Sequence, residues 1–273
     1  MTRPRTPRTA PLYHGALDGA VATGGVMLAV ASFYLTAALQ RPGLLQLVSG
    51  QLVLALVAIG VTLRQHLLAG AADLPRAVQR SLGLRAPRPV HLVGALMIGA
   101  TAWVPNLHLA RWVLHALGGS TRVAGLEQLL RAPTPALTLA CLMVVPPLCE
   151  ELVFRGLWAR ALAARTGMAA ACTITALAFG SYHLSSAQWL PATLLGGVLA
   201  WASLRSGSLW TAIALHAANN AMATLTAAGL VGPLARCMDL YPSASVALAV
   251  TLSLVGVLLL RVGPFHGAEK HRS

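Results

Sequence analysis

The sequence predicts an all-α membrane protein, a polytopic bundle of about eight transmembrane helices. Of its 273 residues, 56% are hydrophobic and only 10% are charged, and the mean hydropathy is +0.69. Soluble domains carry about 25% charged residues. The apolar residues also fall in runs close to the ~20 residues that a spanning helix needs. These observations together exclude an ordinary soluble domain.

Eight apolar segments are predicted to be transmembrane spans. In chain order they are residues 15–39, 43–63, 89–110, 134–159, 167–187, 189–204, 207–230 and 242–261. The sixth segment is short for a span, so we expect it to be tilted, re-entrant or merged with its neighbour. We predict one domain, the helix bundle over residues 15–262, flanked by a disordered basic tail over 1–14 and a second tail over 263–273.

The distribution of Lys and Arg predicts that both termini are cytoplasmic. With eight spans, 14 of the 20 basic residues fall on the side of the termini, five fall on the other side, and Arg155 lies within a span. This asymmetry follows the positive-inside rule. We therefore attribute the net charge of +13 to topology and to attraction by anionic lipid, and expect no nucleic-acid partner. The excess of Arg over Lys and the high Ala content indicate a GC-rich bacterial genome, and hence a bacterial plasma membrane.

The four cysteines predict neither a disulfide framework nor a zinc–thiolate site. They show no CxxC spacing, and three of them fall within predicted spans, where Cys behaves as a small hydrophobic residue. They are Cys141, Cys149, Cys172 and Cys237.

Two adjacent glutamates, Glu150 and Glu151, lie inside the fourth predicted span. A carboxylate at the centre of a membrane helix costs about 2.5–3.5 kcal/mol on insertion scales. Helical spacing places Glu151 and Arg155 on one face, where they can form a salt bridge, and turns Glu150 about 100° away. We predict that Arg155 holds Glu151 and that Glu150 faces a polar chamber, which a kink at Pro146 and Pro147 would help to open. The alternative is a buried ion pair with a spare carboxyl and an ordinary proline kink.

Two further predicted spans carry polar side chains that share a helical face. Phe179 and His183 are four residues apart, as are His216 and Asn220, whereas Asn219 is rotated off that second face. His183 can carry a proton, ligate a metal or orient water, or it can simply be an interfacial residue. His216 and Asn220 can donate hydrogen bonds to a developing oxyanion, can include a metal ligand, or can be interhelical contacts. Exposing any of these polar side chains to lipid would cost free energy. We therefore expect the polar clusters of the three spans to meet in one chamber.

The three motifs resemble a known family. Residues 150–155 fit the pattern EExxxR, residues 179–183 fit FxxxH, and residues 216–220 fit HxxxN. Their order and spacing are similar to those of the CPBP intramembrane proteases, which include the type II CAAX prenyl endopeptidases and the abortive-infection (ABI) proteins. The resemblance covers roughly residues 134–230 and implies an endopeptidase that hydrolyses peptide bonds within the bilayer.

The resemblance also implies roles for the motif residues. Glu150 and His183 would activate a water molecule, and His216 and Asn220 would stabilise the oxyanion. Glu151 and Arg155 would hold the site together. The expected substrate is a membrane protein or peptide, whether prenylated or not, and the expected surroundings are the lipid bilayer.

Two questions stay open at the level of sequence. Two histidines and a glutamate can form a His₂Glu zinc site, whereas without a metal Glu150 itself must activate the water. The same motifs are also compatible with a non-catalytic membrane scaffold or a protein that protects its host against secreted peptides such as bacteriocins. A proton-coupled transporter is a third class, although the repeated halves typical of transporters are not evident in the sequence.

Overall fold

The structure, a computed structural model, describes residues 44–117 and 135–263. All regular secondary structure in these two ranges is helical. In chain order the helices are α1 Leu44–Leu68, α2 Leu74–Leu82, α3 Pro89–Ala116, α4 Pro135–Glu151, a π-helical segment Leu152–Ala159, α5 Arg160–Thr166, α6 Met168–Tyr182, α7 Ser186–Ser206, α8 Leu209–Ala227, α9 Gly232–Leu240 and α10 Pro242–Arg261. The predicted first span, the N-terminal tail and the C-terminal tail beyond Gly263 lie outside the described residues.

Four stretches of helix in the described ranges are long and apolar enough to cross a membrane: Val48–Leu68, Pro89–Ala116, Pro135–Thr166 and Pro242–Arg261. Helices α8 and α9 meet at 87° and pass the same test together, which makes a fifth candidate. The chain is therefore an integral membrane protein with an all-α fold. The predicted count of eight spans is not shown; in particular α6, in the fifth predicted span, has only 15 residues.

The helix that carries the two glutamates does not end at its prolines. Pro146 and Pro147 lie inside α4, and α4 continues directly into the π-helical segment that begins after Glu151. Short π-helical turns are rare and are found mostly at functional sites, because the wider turn shifts side chains relative to an α-helix. The prediction from sequence was an α-helix kinked at these prolines, with α-helical spacing from Glu150 to Arg155, and it did not include a π-helical segment.

Helix α3 lies at the centre of the bundle and packs against α7, α8 and α10. Gly94 of α3 and Gly256 of α10 allow their backbones to touch. A Cβ added at Gly94 would lie 2.6 Å from the Gly256 carbonyl oxygen, and one added at Gly256 would lie 2.7 Å from the Gly94 carbonyl oxygen. This reciprocal contact is the small-residue packing that membrane helices favour.

Gly256→Ala is expected to destabilise the bundle by about 1–3 kcal/mol, because backbone atoms at this contact must move apart to admit the methyl group. Gly60→Ala in α1 is the matched control, since an added Cβ there meets nothing within 4 Å. This control should be neutral or stabilising by roughly 0.5–1 kcal/mol, the helical preference of Ala over Gly. Thermal unfolding in detergent measures both, and equal midpoints for the two variants would contradict the contact.

Helix α7 packs closely against its neighbours at Gly196. A Cβ added at Gly196 of α7 would lie 3.2 Å from the Ala176 Cα of α6 and 3.3 Å from the Arg155 guanidinium. The absence of a side chain at Gly196 therefore brings α7 against both α6 and the buried cation of the π-helical segment.

Candidate active site

Four ionisable side chains meet in the interior of the bundle. Glu151 and Arg155 are fully buried, and Glu150 and His216 are 5% and 3% exposed. They come from the end of α4, from the π-helical segment and from α8. Three of the four lie in the Pro135–Thr166 candidate span, near its middle, so the cluster sits far from both ends of that helix.

The predicted ion pair between Glu151 and Arg155 is present, with 2.7 Å between Glu151 Oε1 and Arg155 Nη1. The same carboxylate oxygen lies 2.8 Å from Nδ1 of His216, a contact that spacing did not predict. Because a carboxylate only accepts, His216 Nδ1 carries the proton and donates it. Glu151 thus orients the ring of His216, and Nε2 of that ring lies 4.0 Å from Glu150 Oε2.

Arg155 joins three parts of the bundle. Its Nη2 donates to the Gly196 carbonyl of α7 over 3.1 Å, and its guanidinium lies 4.2 Å from the centre of the Phe179 ring of α6. A buried guanidinium over an aromatic face gains a cation–π interaction beside its ion pair. Arg155 therefore holds Glu151 in place and also fixes α6 and α7 around the cluster.

Glu150 is held by a residue that sequence reasoning missed. Gln51 of α1 donates from Nε2 to Glu150 Oε1 over 3.0 Å, and the same nitrogen lies 3.4 Å from the Tyr182 hydroxyl of α6. The only signal for Gln51 in the sequence is that it is one of two amides, with Gln46, inside the predicted span 43–63. Nothing in that signal indicates which of the other helices it faces.

His183 directly follows α6, and its ring stands edge-on to Phe179 and Tyr182, with centroid distances of 4.8 and 5.6 Å. Its Nδ1 lies 2.8 Å from the Phe179 carbonyl oxygen. A carbonyl only accepts, so Nδ1 carries the proton and Nε2 carries a lone pair. His183 thus stands next to Tyr182, whose hydroxyl reaches the Gln51 that holds Glu150. The predicted meeting of His183 with Glu150 stays a prediction.

Asn220 reaches from α8 to the backbone of α4, with 3.5 Å between its Nδ2 and the Leu142 carbonyl oxygen. In an α-helix this carbonyl would accept from the backbone N–H four residues on, which is position 146. Pro146 has no N–H, so Asn220 supplies the missing donor. Asn219, the neighbour that spacing placed on another face, is buried at 8% exposure, and its Oδ1 has no partner among the described residues.

Asn220→Ala is expected to lower the free energy of unfolding by about 1–3 kcal/mol, because it leaves the Leu142 carbonyl without a donor. In a Pro146→Ala background the same change should cost less, since the alanine provides the backbone N–H that the proline lacks. Thermal unfolding of the wild type, both single variants and the double variant measures this coupling. Additive effects would show that Asn220 does not replace the proline's missing donor.

The described residues do not offer a metal centre. Within residues 44–117 and 135–263, no group of three or more His, Cys, Asp and Glu side chains is placed to hold a metal ion. Glu150, Glu151 and His216 are close together, but Glu151 Oε1 is already shared between Arg155 and His216. The His₂Glu zinc site considered from the sequence is therefore not assembled among the described residues.

The fold and the cluster define a class of protein, an integral membrane protein whose helices enclose a buried carboxylate–imidazole site. Comparison with protein families identifies that class more closely. Residues 132–222 match the model of the type II CAAX prenyl endopeptidase Rce1-like family. The chain thus carries an Rce1-like domain of the CPBP group, as the three motifs predicted, over nearly the predicted range of 134–230. Comparisons with curated proteins and with solved structures found no match.

The matched segment accounts for all six residues singled out from the motifs, from Glu150 to Asn220. It excludes α1, α2, α3, α9 and α10. Gln51 therefore enters the site from a part of the chain outside the family domain. The family whose model matches this segment is that of type II CAAX prenyl endopeptidases.

Proposed function

We propose that the protein is an intramembrane endopeptidase that hydrolyses a peptide bond in a membrane-associated protein or peptide. The observation that carries the proposal is the buried cluster of Glu150, Glu151, Arg155 and His216 inside the Rce1-like domain. Buried ionisable groups are expensive in a membrane bundle and are characteristic of functional sites. We place the protein in a bacterial plasma membrane with both termini cytoplasmic, as the distribution of Lys and Arg predicts.

In the proposed mechanism Glu150 is the general base and His183 assists it in activating a water molecule. Glu150 is buried in the bundle, and Gln51 Nε2 donates to one lone pair of its Oε1. The second lone pair of Oε1 is proposed to accept from the water. The protonated Nδ1 of His183 faces the Phe179 carbonyl, so its Nε2 is an acceptor that can orient the same water. General-base assistance of this kind contributes about 10²–10⁴-fold to a rate.

His216 and Asn220 are proposed to stabilise the oxyanion of the tetrahedral intermediate. Nδ1 of His216 is engaged by Glu151, so Nε2 donates to an oxyanion only when the ring is an imidazolium. Asn220 has a second N–H besides the one directed at Leu142, and this second N–H is the other proposed donor.

Glu151 and Arg155 are proposed as positioning residues. Glu151 holds the tautomer and orientation of His216 in the way that a buried carboxylate orients a catalytic imidazole in other hydrolases. Arg155 in turn fixes Glu151 and anchors it to Gly196 of α7. Neither side chain needs to touch the substrate.

The proposal is tested by comparing new protein N-termini in membranes of cells that carry the wild type with those of cells that carry Glu150→Gln. Peptidase activity should produce at least one terminus that appears only with the wild type. The peptide that spans this site, fused to its native membrane anchor, then becomes the substrate for purified protein in liposomes. No wild-type-specific terminus, or cleavage that persists in Glu150→Gln, would contradict the proposal.

The same comparison separates the endopeptidase from a scaffold or a protector against secreted peptides. Those functions predict that a cellular phenotype of the wild type survives Glu150→Gln unchanged. A transporter would instead show transport that the substitution abolishes, without any new N-terminus.

A further inference from the structure

Gln51 brings a side chain into the candidate active site from outside the Rce1-like domain. Its side chain is 7% exposed and lies on α1, about a hundred positions before Glu150 in the chain. Its Nε2 donates to Glu150 Oε1 over 3.0 Å and lies 3.4 Å from the Tyr182 hydroxyl. Gln51 therefore contacts both Glu150, the proposed base, and Tyr182 at the end of α6, next to His183.

The other end of the same amide is an acceptor without a donor. Gln51 Oε1 is buried, and no hydrogen-bond partner for it exists among residues 44–117 and 135–263. The amide orientation follows from the proposed role of Glu150, because a base is a carboxylate, which only accepts and so requires the NH₂ end of Gln51. A buried acceptor without a donor is unfavourable, and in natural structures it is usually explained by a functional role or by bound water.

The position of Gln51 Oε1 suits one particular donor, which is a water molecule beside Glu150. The oxygen and nitrogen of an amide share one carbon, so Gln51 Oε1 lies within about 5 Å of Glu150 Oε1. One water with hydrogen bonds of about 2.8 Å can bridge two acceptors at that separation. The two protons of this water then point at Glu150 and at Gln51 Oε1. A lone pair on the water oxygen stays free to attack a substrate carbonyl carbon.

We propose that Gln51 is a water-positioning residue for the hydrolysis, an inference that rests on the proposed function. Glu150 accepts one hydrogen bond from the attacking water, and Gln51 Oε1 and His183 Nε2 share the second proton in a three-centre hydrogen bond. The water oxygen bonds to the substrate carbonyl carbon, and one proton passes to Glu150. The other proton stays on the new hydroxyl, held by Gln51, until the C–N bond breaks and the proton on Glu150 passes to the leaving amine.

The role is tested with Gln51→Leu on the cleavage-site peptide in liposomes, beside the wild type and Glu150→Gln. Loss of water positioning should lower kcat by about 10- to 100-fold, with KM unchanged within about twofold, because Gln51 is not proposed to bind the substrate. Gln51→Glu keeps an acceptor oxygen, and it donates to Glu150 only when its own carboxyl is protonated. The Gln51→Glu variant should therefore recover part of the lost kcat at low pH, and this recovery should disappear as the pH rises. The wild type, with an amide at position 51, should not show this recovery.

Gln65→Leu is the matched control, since it removes a second buried amide from the same helix, 14 positions further along. Gln65→Leu should keep kcat within about twofold of the wild type. The kcat of every variant is corrected for its folded fraction, which thermal unfolding measures. A Gln51→Leu variant that keeps wild-type kcat, or that changes only KM, overturns the role of Gln51 while the inactivity of Glu150→Gln leaves the endopeptidase intact. Absence of turnover in the wild type overturns the endopeptidase and the role of Gln51 together.

Discussion

Glu150→Gln is expected to abolish peptide cleavage and to leave the fold intact. The amide has nearly the shape of the carboxylate, and its oxygen can still accept from Gln51 Nε2, so the contact between α1 and α4 survives. It cannot take a proton from water near neutral pH. We expect kcat to fall by about 10²–10⁴-fold, which is the usual contribution of a general base. Single-turnover cleavage of the liposome-bound peptide measures the loss.

The control for Glu150→Gln is Asp239→Asn, which removes a carboxylate outside the cluster. Asp239 pairs with Arg111 over 3.1 Å, and both side chains are largely exposed. Its loss should leave kcat unchanged within about twofold. Wild-type kcat in a folded Glu150→Gln variant would contradict the assignment of Glu150 as base, whatever the control shows.

Arg155→Met is expected to be the most destabilising single change in the cluster. Removing one partner of a buried ion pair typically costs about 3–5 kcal/mol, because the remaining charge stays buried without compensation. Here Glu151 would lose its guanidinium contact, and the Gly196 carbonyl would lose a donor. The free energy of unfolding in detergent, measured with denaturant, should fall by that amount.

A double variant separates the ion pair from simple loss of packing. Adding Glu151→Gln to Arg155→Met removes the uncompensated charge, so the double variant should be more stable than Arg155→Met alone. Arg111→Met provides the exposed comparison and should change stability by less than about 1 kcal/mol. If the double variant is less stable than Arg155→Met by the full cost of Glu151→Gln, the two side chains do not interact energetically.

Local patterns in the sequence were sufficient for part of this site. The pair Glu151 and Arg155 could be predicted, because residues four apart on a helix must be neighbours wherever that helix packs. The family could be predicted because its motifs are short and lie within single helices. The shared face of Phe179 and His183 follows from the same spacing and places the two rings 4.8 Å apart.

Contacts between helices were not predictable in the same way. Helical spacing predicted that Glu150 and Glu151 point in different directions. It could not show that Glu151 contacts His216, which lies 65 positions further along the chain. It also could not show that Asn220 faces the carbonyl that Pro146 leaves without a donor. Each of these contacts depends on the rotation and depth of two helices at once, and a pattern within one helix specifies neither.

The sequence by itself determined that this protein lies in a membrane, that its helices carry buried ionisable groups, and that residues 132–222 form an Rce1-like domain. These properties are local, since they follow from composition, helical periodicity and the spacing of motifs. Only the tertiary structure decided which partners those groups meet: Gln51 for Glu150, and both Arg155 and His216 for Glu151. The physical reason is that the packing of small residues such as Gly196 sets how closely the helices approach, and that approach selects the hydrogen bonds.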